Sequence, residues 1–172
     1  MDQRKSDDRK IVKARANRAP GRIVRIDLGD GRYAYGRQLT GVSVEFYDRV
    51  GKPGETIDLI RIVCAPVAFR VCVRDYAFRR SGGWELLDVV SLTQEEQSAV
   101  ERYAKQDVIT KAISIYWSDP ISGAYGETPA TFEECQGLER HAVWDPHHVE
   151  ERLRDHFDGC PNKWVESLQL KV

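Results

Sequence analysis

Hydrophobic and polar positions alternate over short segments in the first third of the chain. GRIVRIDL, at residues 21–28, is a largely apolar run with interleaved arginines, whereas RYAYGRQL and VSVEFYD alternate with the period of two that is typical of a half-buried strand. Asp30-Gly31 is a hairpin signal, because a tight turn needs positive φ, which glycine adopts without steric cost. The pattern predicts an antiparallel meander, in which Gly36 indicates a bulge or the close approach of another backbone.

More strands are predicted along the rest of the chain. Residues 56–63 (TIDLIRIV) fit either a short helix or a strand. Other apolar or alternating segments predict strands at residues 67–74, 84–92, 112–117 and 137–144.

Two capping patterns predict helices between these strands. Thr93 followed by Glu96 forms a capping box, which predicts a mostly exposed helix over residues 94–106. The same spacing recurs at Thr131 and Glu134, where it predicts a short helix over FEECQ.

The clearest helix is expected near the C-terminus. Asp145 and Pro146 suit an N-cap and the first helical position, and Gly159 suits the C-cap. Apolar residues recur every fourth position between them, at Val149, Leu153 and Phe157. Glu150 and Arg154 on the polar side have the spacing of an i,i+4 ion pair.

Strands cluster early and helices late, which favours an α+β fold. We expect a twisted antiparallel sheet of about six to eight strands with a few helices packed against it. A length of 172 residues suits a single domain. Residues 1–20 are predicted to form a basic, flexible leader, and residues 21–172 the domain.

The net charge of −1 conceals an uneven distribution of charge. Residues 1–25 carry nine Lys and Arg against three Asp and Glu, whereas residues 127–172 carry five against ten. No apolar run approaches the ~20 residues that cross a bilayer, and no apolar signal segment follows the charged N-terminus. A cytoplasmic protein without a membrane partner is therefore expected.

No motif in the chain predicts catalysis or a cofactor. The glycines around residue 30 do not lead into a helix, as a phosphate-binding loop would. The cysteines form no C-x-x-C pair, and Cys64 and Cys72 lie in apolar surroundings that make a thiol inert. The four histidines lack the spacing of a metal clamp. We expect no catalytic residue, no cofactor and no bound metal.

Several segments together resemble the immunity protein 26 family of bacterial polymorphic toxin systems. Between Gly21 and Gly159 they are IDLGDGRYAYGRQL, VSVEFYD, VAFRVCV and ATFEECQGLERHAVWDPHHVEERLRDHFDG, in the same order as in the family and at comparable spacing. The resemblance implies a non-enzymatic protein that binds and neutralises a cognate toxin domain. It supplies no catalytic residue.

The acidic C-terminal region indicates which residues would contact such a toxin. Many toxin domains act on nucleic acid through a basic cleft, so an acidic surface would steer association, with a tryptophan as an aromatic anchor. The predicted contact residues are Glu150, Glu151, Asp155, Glu133, Glu134, Asp119, Trp117 and Trp144.

Two other classes of protein stay open at this stage. One is a small β-rich module that binds nucleic acid through its basic arm, formed by Arg4, Lys5, Arg9, Lys10, Lys13, Arg15 and Arg18. The other is a hydrolase that uses the histidine-rich end. It has the least support, because no nucleophile, base and orienting group can be assembled from the spacing.

Overall fold

A computed structural model describes residues 9–13 and 16–171. Within them, ten strands form a sheet of seven and a sheet of three. The strands are β1 (Ile11–Val12), β2 (Arg22–Asp27), β3 (Tyr33–Gln38), β4 (Ser43–Tyr47), β5 (Val67–Val73), β6 (Glu85–Val90), β7 (Glu101–Gln106), β8 (Ile113–Ser118), β9 (Tyr125–Pro129) and β10 (Val143–Trp144). The helices are α1 (Leu59–Val63), α2 (Gln94–Ser98), α3 (Pro146–Asp158) and α4 (Lys163–Ser167).

This architecture confirms a single-domain α+β fold. The larger sheet has the order β1-β6-β2-β3-β4-β5-β10, so the predicted meander forms its centre. The last strand departs from the antiparallel expectation, because β10 pairs in parallel with β5. Residues 56–63, which fitted helix or strand, contain α1.

The glycines around residue 30 serve the β2–β3 hairpin, as predicted. Gly29 and Gly31 have φ angles of 77° and 82°, in the left-handed region that favours glycine. Gly36 has a different role from the one predicted, since the strands stay in register around it. A Cβ at Gly36 would lie 2.9 Å from the ring of Phe46, so the close neighbour is a side chain and not another backbone.

The central strands are buried on both faces. On one face of β2, Val24 and Ile26 pack in a core that includes Leu153 of α3. On the other face, Ile23 packs in a second core with Ile62 of α1. Burial of both faces explains why this strand is a largely apolar run rather than a strict alternation.

A buried ion network connects the larger sheet to α2. Arg37 on β3 is fully buried and donates two hydrogen bonds of 3.1 Å to the carboxylate of Glu96. One of its nitrogens lies 3.5 Å from Glu45 on β4. Arg9 donates to the same Glu96 at 3.0 Å. A buried charge requires partners of this kind, so the network fixes how these elements pack.

The described part of the basic N-terminal segment packs against the domain. β1 pairs antiparallel with β6, and the guanidinium of Arg18 donates to Gln38 at 2.9 Å and pairs with Asp75. The leader that was predicted to be flexible also includes residues 1–8 and 14–15. These residues, which include Arg4, Lys5 and Arg15, lie outside the described ranges.

The helix predicted over residues 94–106 is wrong beyond Ser98. The capping box of Thr93 and Glu96 is present, but α2 spans five residues and β7 follows it. Pairing with β8 decides the outcome, because it buries Tyr103 and Ala104 on opposite faces of the smaller sheet. The many charged residues of this segment gave it the composition of an exposed helix.

In the C-terminal third, the predicted helix is confirmed, but the predicted ion pair and most of the predicted strand are not. α3 begins after Asp145, whose carboxylate accepts from the His147 N–H at 3.0 Å, and ends at Gly159 with φ of 69°. The spaced pair Glu150–Arg154 is not formed, since Arg154 donates to the carbonyl of Leu28 instead. The strand predicted at 137–144 is reduced to β10 and an isolated bridge, while β9 and α4 were not predicted.

Candidate partner-binding surface

The three carboxylates of α3 that were predicted to contact a partner also bind neighbouring elements of the fold. Each accepts a hydrogen bond from a side chain that lies outside the helix. The pairs are Glu150 with the Trp84 indole at 2.9 Å, Glu151 with the Trp164 indole at 2.6 Å, and Asp155 with the Asn162 amide at 2.8 Å. These half-buried groups therefore hold α3 against Trp84, which precedes β6, and against the segment that contains α4.

The two predicted aromatic anchors lie in different environments. Trp144 on β10 is only 4% exposed and belongs to the main core, so its prediction as a surface anchor is wrong. The strand places it inward, between the sheet and α3. Trp117 on β8 is half-buried, and a Cβ at the neighbouring Gly126 would lie 3.0 Å from its ring. It shares a shallow cavity with Glu134.

The other predicted acidic residues lie near the smaller sheet. Glu133 and Glu134 are exposed in a 3-10 turn, where Glu134 accepts from the Thr131 N–H at 2.8 Å, as its capping pattern predicted. Asp119 has a structural role in addition to the predicted one. It holds the turn between β8 and β9.

Two turns of the smaller sheet share one architecture. The two turns have the sequences DVITKA and DPISGA. In each, the carboxylate of the first residue, Asp, accepts hydrogen bonds from the backbone N–H groups of the third and fourth residues and from the hydroxyl of the fourth, a Thr or Ser. The N–H of the final Ala donates to the same hydroxyl. Hydrogen bonds of this kind lower the pKa of both Asp107 and Asp119. Each turn presents one isoleucine, and Ile109 and Ile121 are 89% and 71% exposed.

A cleft of about 590 Å³ lies between the two sheets. β5 lines one side, the start of β7 lines another, and residues 137–139 complete the wall. Arg70, Glu101 and Arg102 contribute charged side chains to it. Burial raises the pKa of Glu101, despite its hydrogen bonds to Ser43 and Ser118.

Two exposed apolar side chains line this cleft, and two more lie on the adjoining turn and strand of the smaller sheet. Val67 and Val100 belong to its walls, and so does Pro120, the residue before Ile121. Strand register aligns Tyr125 with Glu101, so the tyrosine lies on the face of the smaller sheet that borders the cleft. We call these four residues the cleft rim. Their exposed fractions are 41% for Val67, 51% for Val100, 71% for Ile121 and 73% for Tyr125.

The cleft rim cannot be predicted from the sequence alone, because its members come from three segments that are distant along the chain. A local signal was nevertheless present. The spacing D-x-I-[S/T]-x-A occurs at both turns and indicates hydrogen-bonded loops that display an isoleucine.

The polar side chains behind the cleft are not arranged as an activated nucleophile. The hydroxyl of Tyr103 lies 2.6 Å from Ser43 Oγ, which in turn lies 3.8 Å from Cys72 Sγ. Burial raises the pKa of both the Tyr103 hydroxyl and the Cys72 thiol, so both stay protonated near neutral pH. A protonated thiol is a poor nucleophile.

The remaining cysteines divide into one buried and two exposed thiols. Cys135 is buried, whereas Cys160 is exposed. Cys64 is exposed as well, so the burial expected from its apolar neighbours is wrong. It follows α1 as the C-cap, and the buried side chains there are those of Ile62 and Val63.

The histidines engage separate partners. Among the described residues, no group of three or more His, Cys, Asp or Glu side chains is placed to hold a metal ion. The contacts are His141 stacked on Tyr116, His148 stacked on Trp164, His156 to Asp48 at 3.0 Å and His147 to Glu150 at 3.3 Å.

No helix among the described residues is long and apolar enough to span a membrane.

The fold and the surface define an α+β protein with a charged cleft between two sheets and apolar side chains at its mouth. A family model described as immunity protein 26 matches residues 19–114, more than half of the chain. The chain therefore belongs to the immunity protein 26 family, which confirms the resemblance drawn from the sequence. No curated protein and no solved structure has significant similarity to it.

Proposed function

We propose that the protein neutralises a cognate toxin domain of a polymorphic toxin system by binding it at the cleft rim. Family membership supports an immunity role in a toxin system. The choice of surface rests on the exposure of Val67 and Val100 in the walls of one cleft, together with that of Ile121 and Tyr125 beside it. Exposed apolar side chains that are grouped on one part of a surface are typical of protein interfaces, in which tyrosine is enriched.

The rim is well suited to present a preformed surface. Asp119 fixes the turn of Ile121 through hydrogen bonds of 2.9 Å to the Ile121 N–H and 2.7 Å to the Ser122 hydroxyl. The backbone of such a turn loses little conformational freedom when a partner binds, which favours affinity.

Acidic residues would steer a basic toxin towards this region. Glu133 and Glu134 are exposed and therefore suit this role. Glu150, Glu151 and Asp155 add negative potential, but reversing their charge would also remove their bonds to neighbouring elements. Steering is therefore tested more cleanly at Glu133 and Glu134 than on α3.

The proposal includes action by binding and not by catalysis, and a cytoplasmic location. The raised pKa of the Cys72 thiol argues against its use as a nucleophile. The nucleic-acid alternative loses two of its cations, because Arg9 bonds to Glu96 and Arg18 to Asp75. Both guanidinium groups are thereby occupied within the fold.

The experiment is rescue of cells that co-express the full chain with a cognate toxic domain. We expect the wild-type protein to restore growth and the purified pair to form a complex. Ile121→Ser should weaken that complex about tenfold or more, as loss of an interface anchor does. Ile109→Ser is the matched control, since Ile109 occupies the equivalent turn at the other end of β8 and should leave affinity unchanged.

Charge reversal tests the steering component separately. Glu133→Lys combined with Glu134→Lys should slow association at low salt and leave dissociation nearly unchanged. Failure of the wild-type chain to rescue growth or to bind the toxic domain would overturn the proposed function. Equal weakening by the two isoleucine variants would overturn the choice of the cleft rim.

A further inference from the structure

A second cavity, of about 330 Å³, lies on the other side of residues 136–140 from the cleft. Its walls come from this segment, from β10 and from the C-terminal residues 165–170. Most of the wall is apolar, with Phe132, Leu138, Val165, Leu168 and Leu170. Its volume is in the range of small-molecule sites.

Two buried hydrogen-bond donors in this wall have no acceptor. Trp144 Nε1 and Arg140 Nη1 are inaccessible to solvent and have no hydrogen-bond partner among the described residues. The carboxylate of Glu139, the residue before Arg140, binds Arg152 through two bonds of 3.0 and 2.5 Å and accepts from neither of these donors. Burial lowers the pKa of Arg140, but a guanidinium remains charged near neutral pH.

Unsatisfied buried donors are rare in folded proteins and call for an acceptor. The cavity has room for several water molecules, but its apolar wall offers few of the polar groups that hold buried water. A carboxylate supplies two acceptor oxygens and a negative charge, which suit an indole N–H and a guanidinium. The apolar wall suits a hydrocarbon body attached to that carboxylate.

The wall is held in place from both ends. The side-chain amide of Gln106 on β7 pairs with the backbone of Lys171 through bonds of 2.7 and 2.9 Å, which fixes the C-terminal residues against the smaller sheet. Asn162 caps α4 through two bonds of 3.1 Å. The backbone around the cavity is thereby fixed, but the two donor nitrogens are covered, so the Trp144 and Arg140 side chains must shift to meet the oxygens of a ligand.

We propose that this cavity binds a small apolar carboxylate, whose oxygens accept hydrogen bonds from Trp144 Nε1 and Arg140 Nη1 while its hydrocarbon part packs on the leucines. The site is independent of the cleft rim. A free organic acid and the apolar C-terminus of a polypeptide share this chemistry, so the experiment includes both sources.

The test follows the indole N–H resonances of the full chain by nitrogen-15 NMR during titration with phenylpropionate. The Trp144 resonance, assigned by its loss in Trp144→Phe, should shift in a saturable manner at millimolar concentrations. Phenylpropanol and phenylpropionamide, which lack the charge, should bind at least about tenfold more weakly. A peptide ending in Leu-Phe with a free carboxylate, compared with its amide, separates the polypeptide source from the free acid.

Variants assign the donors. Arg140→Gln should weaken phenylpropionate binding by about tenfold or more while the Trp144 resonance still reports on the fold. The control Arg79→Gln changes an exposed arginine outside the cavity wall and should bind normally. The proposal is overturned if neither the acid nor the peptide shifts the Trp144 resonance. It is also overturned if acid and alcohol bind equally, or if only ordered water occupies the cavity in crystals grown with the acid.

Discussion

Neutralising Glu96 gives a direct measure of the buried ion network. Glu96→Gln keeps the shape of the side chain and its ability to cap α2, but removes the charge that faces the fully buried Arg37. Breaking a buried ion pair costs about 3–5 kcal/mol. Glu96 is 22% exposed and Glu45 remains 3.5 Å from Arg37, so we expect a loss of about 2–3 kcal/mol in the free energy of unfolding.

The effect should depend on pH. Burial alone would raise the pKa of Glu96, but hydrogen bonds from the Thr93 N–H and Arg37, with the charges of Arg37 and Arg9, together lower it below its ordinary value of 4.5. A carboxyl group whose pKa is lowered by folding stabilises the native state above its unfolded pKa. This contribution is lost as pH falls below 4.5 through the folded pKa. The difference between wild type and Glu96→Gln should therefore narrow in acid.

Urea denaturation at neutral and acidic pH measures both effects, and the melting temperature should fall by ~5–10 °C at neutral pH. Glu95→Gln is the matched control, because Glu95 is the exposed neighbour in the same helical turn and should change stability by less than about 1 kcal/mol. Equal stability of the Glu96 variant and the control, or a difference that does not narrow in acid, would refute this account of the network.

Three further outcomes follow from the packing. Gly36→Ala should destabilise the protein by about 1–3 kcal/mol in urea, since its Cβ would lie 2.9 Å from Phe46; a neutral effect would show that the ring can move freely. His141 should titrate below pH 6.5 by NMR, because burial lowers its pKa, and a midpoint above this value would contradict the stacked position. A thiol reagent should label two cysteines of the native protein rapidly and spare the buried pair, Cys72 and Cys135.

Family membership and the resemblance agree on the class of the protein, but they cover different lengths. The family model ends at residue 114, in β8. The cleft rim uses residues on both sides of this boundary, since Val67 and Val100 precede it while Ile121 and Tyr125 follow it.

Several features of this protein are determined locally by its sequence. Asp145, Pro146 and Gly159 bound α3 because caps act on the nearest backbone groups, and Gly29 and Gly31 form a turn because they adopt positive φ. These interactions span a few residues, so the pattern alone predicts them. The α+β class follows in the same way from the succession of periods along the chain.

Other features were decided only by the tertiary structure. Residues 101–106 have charges that suit a helix, yet pairing with β8 makes them a strand. Trp144 is buried because β10 joins β5, a strand about seventy positions earlier in the chain. The cleft rim likewise joins β5 to the turns of the smaller sheet. Such contacts depend on which distant segments meet, and the free energy of burial and strand pairing that selects them is absent from any short stretch of sequence.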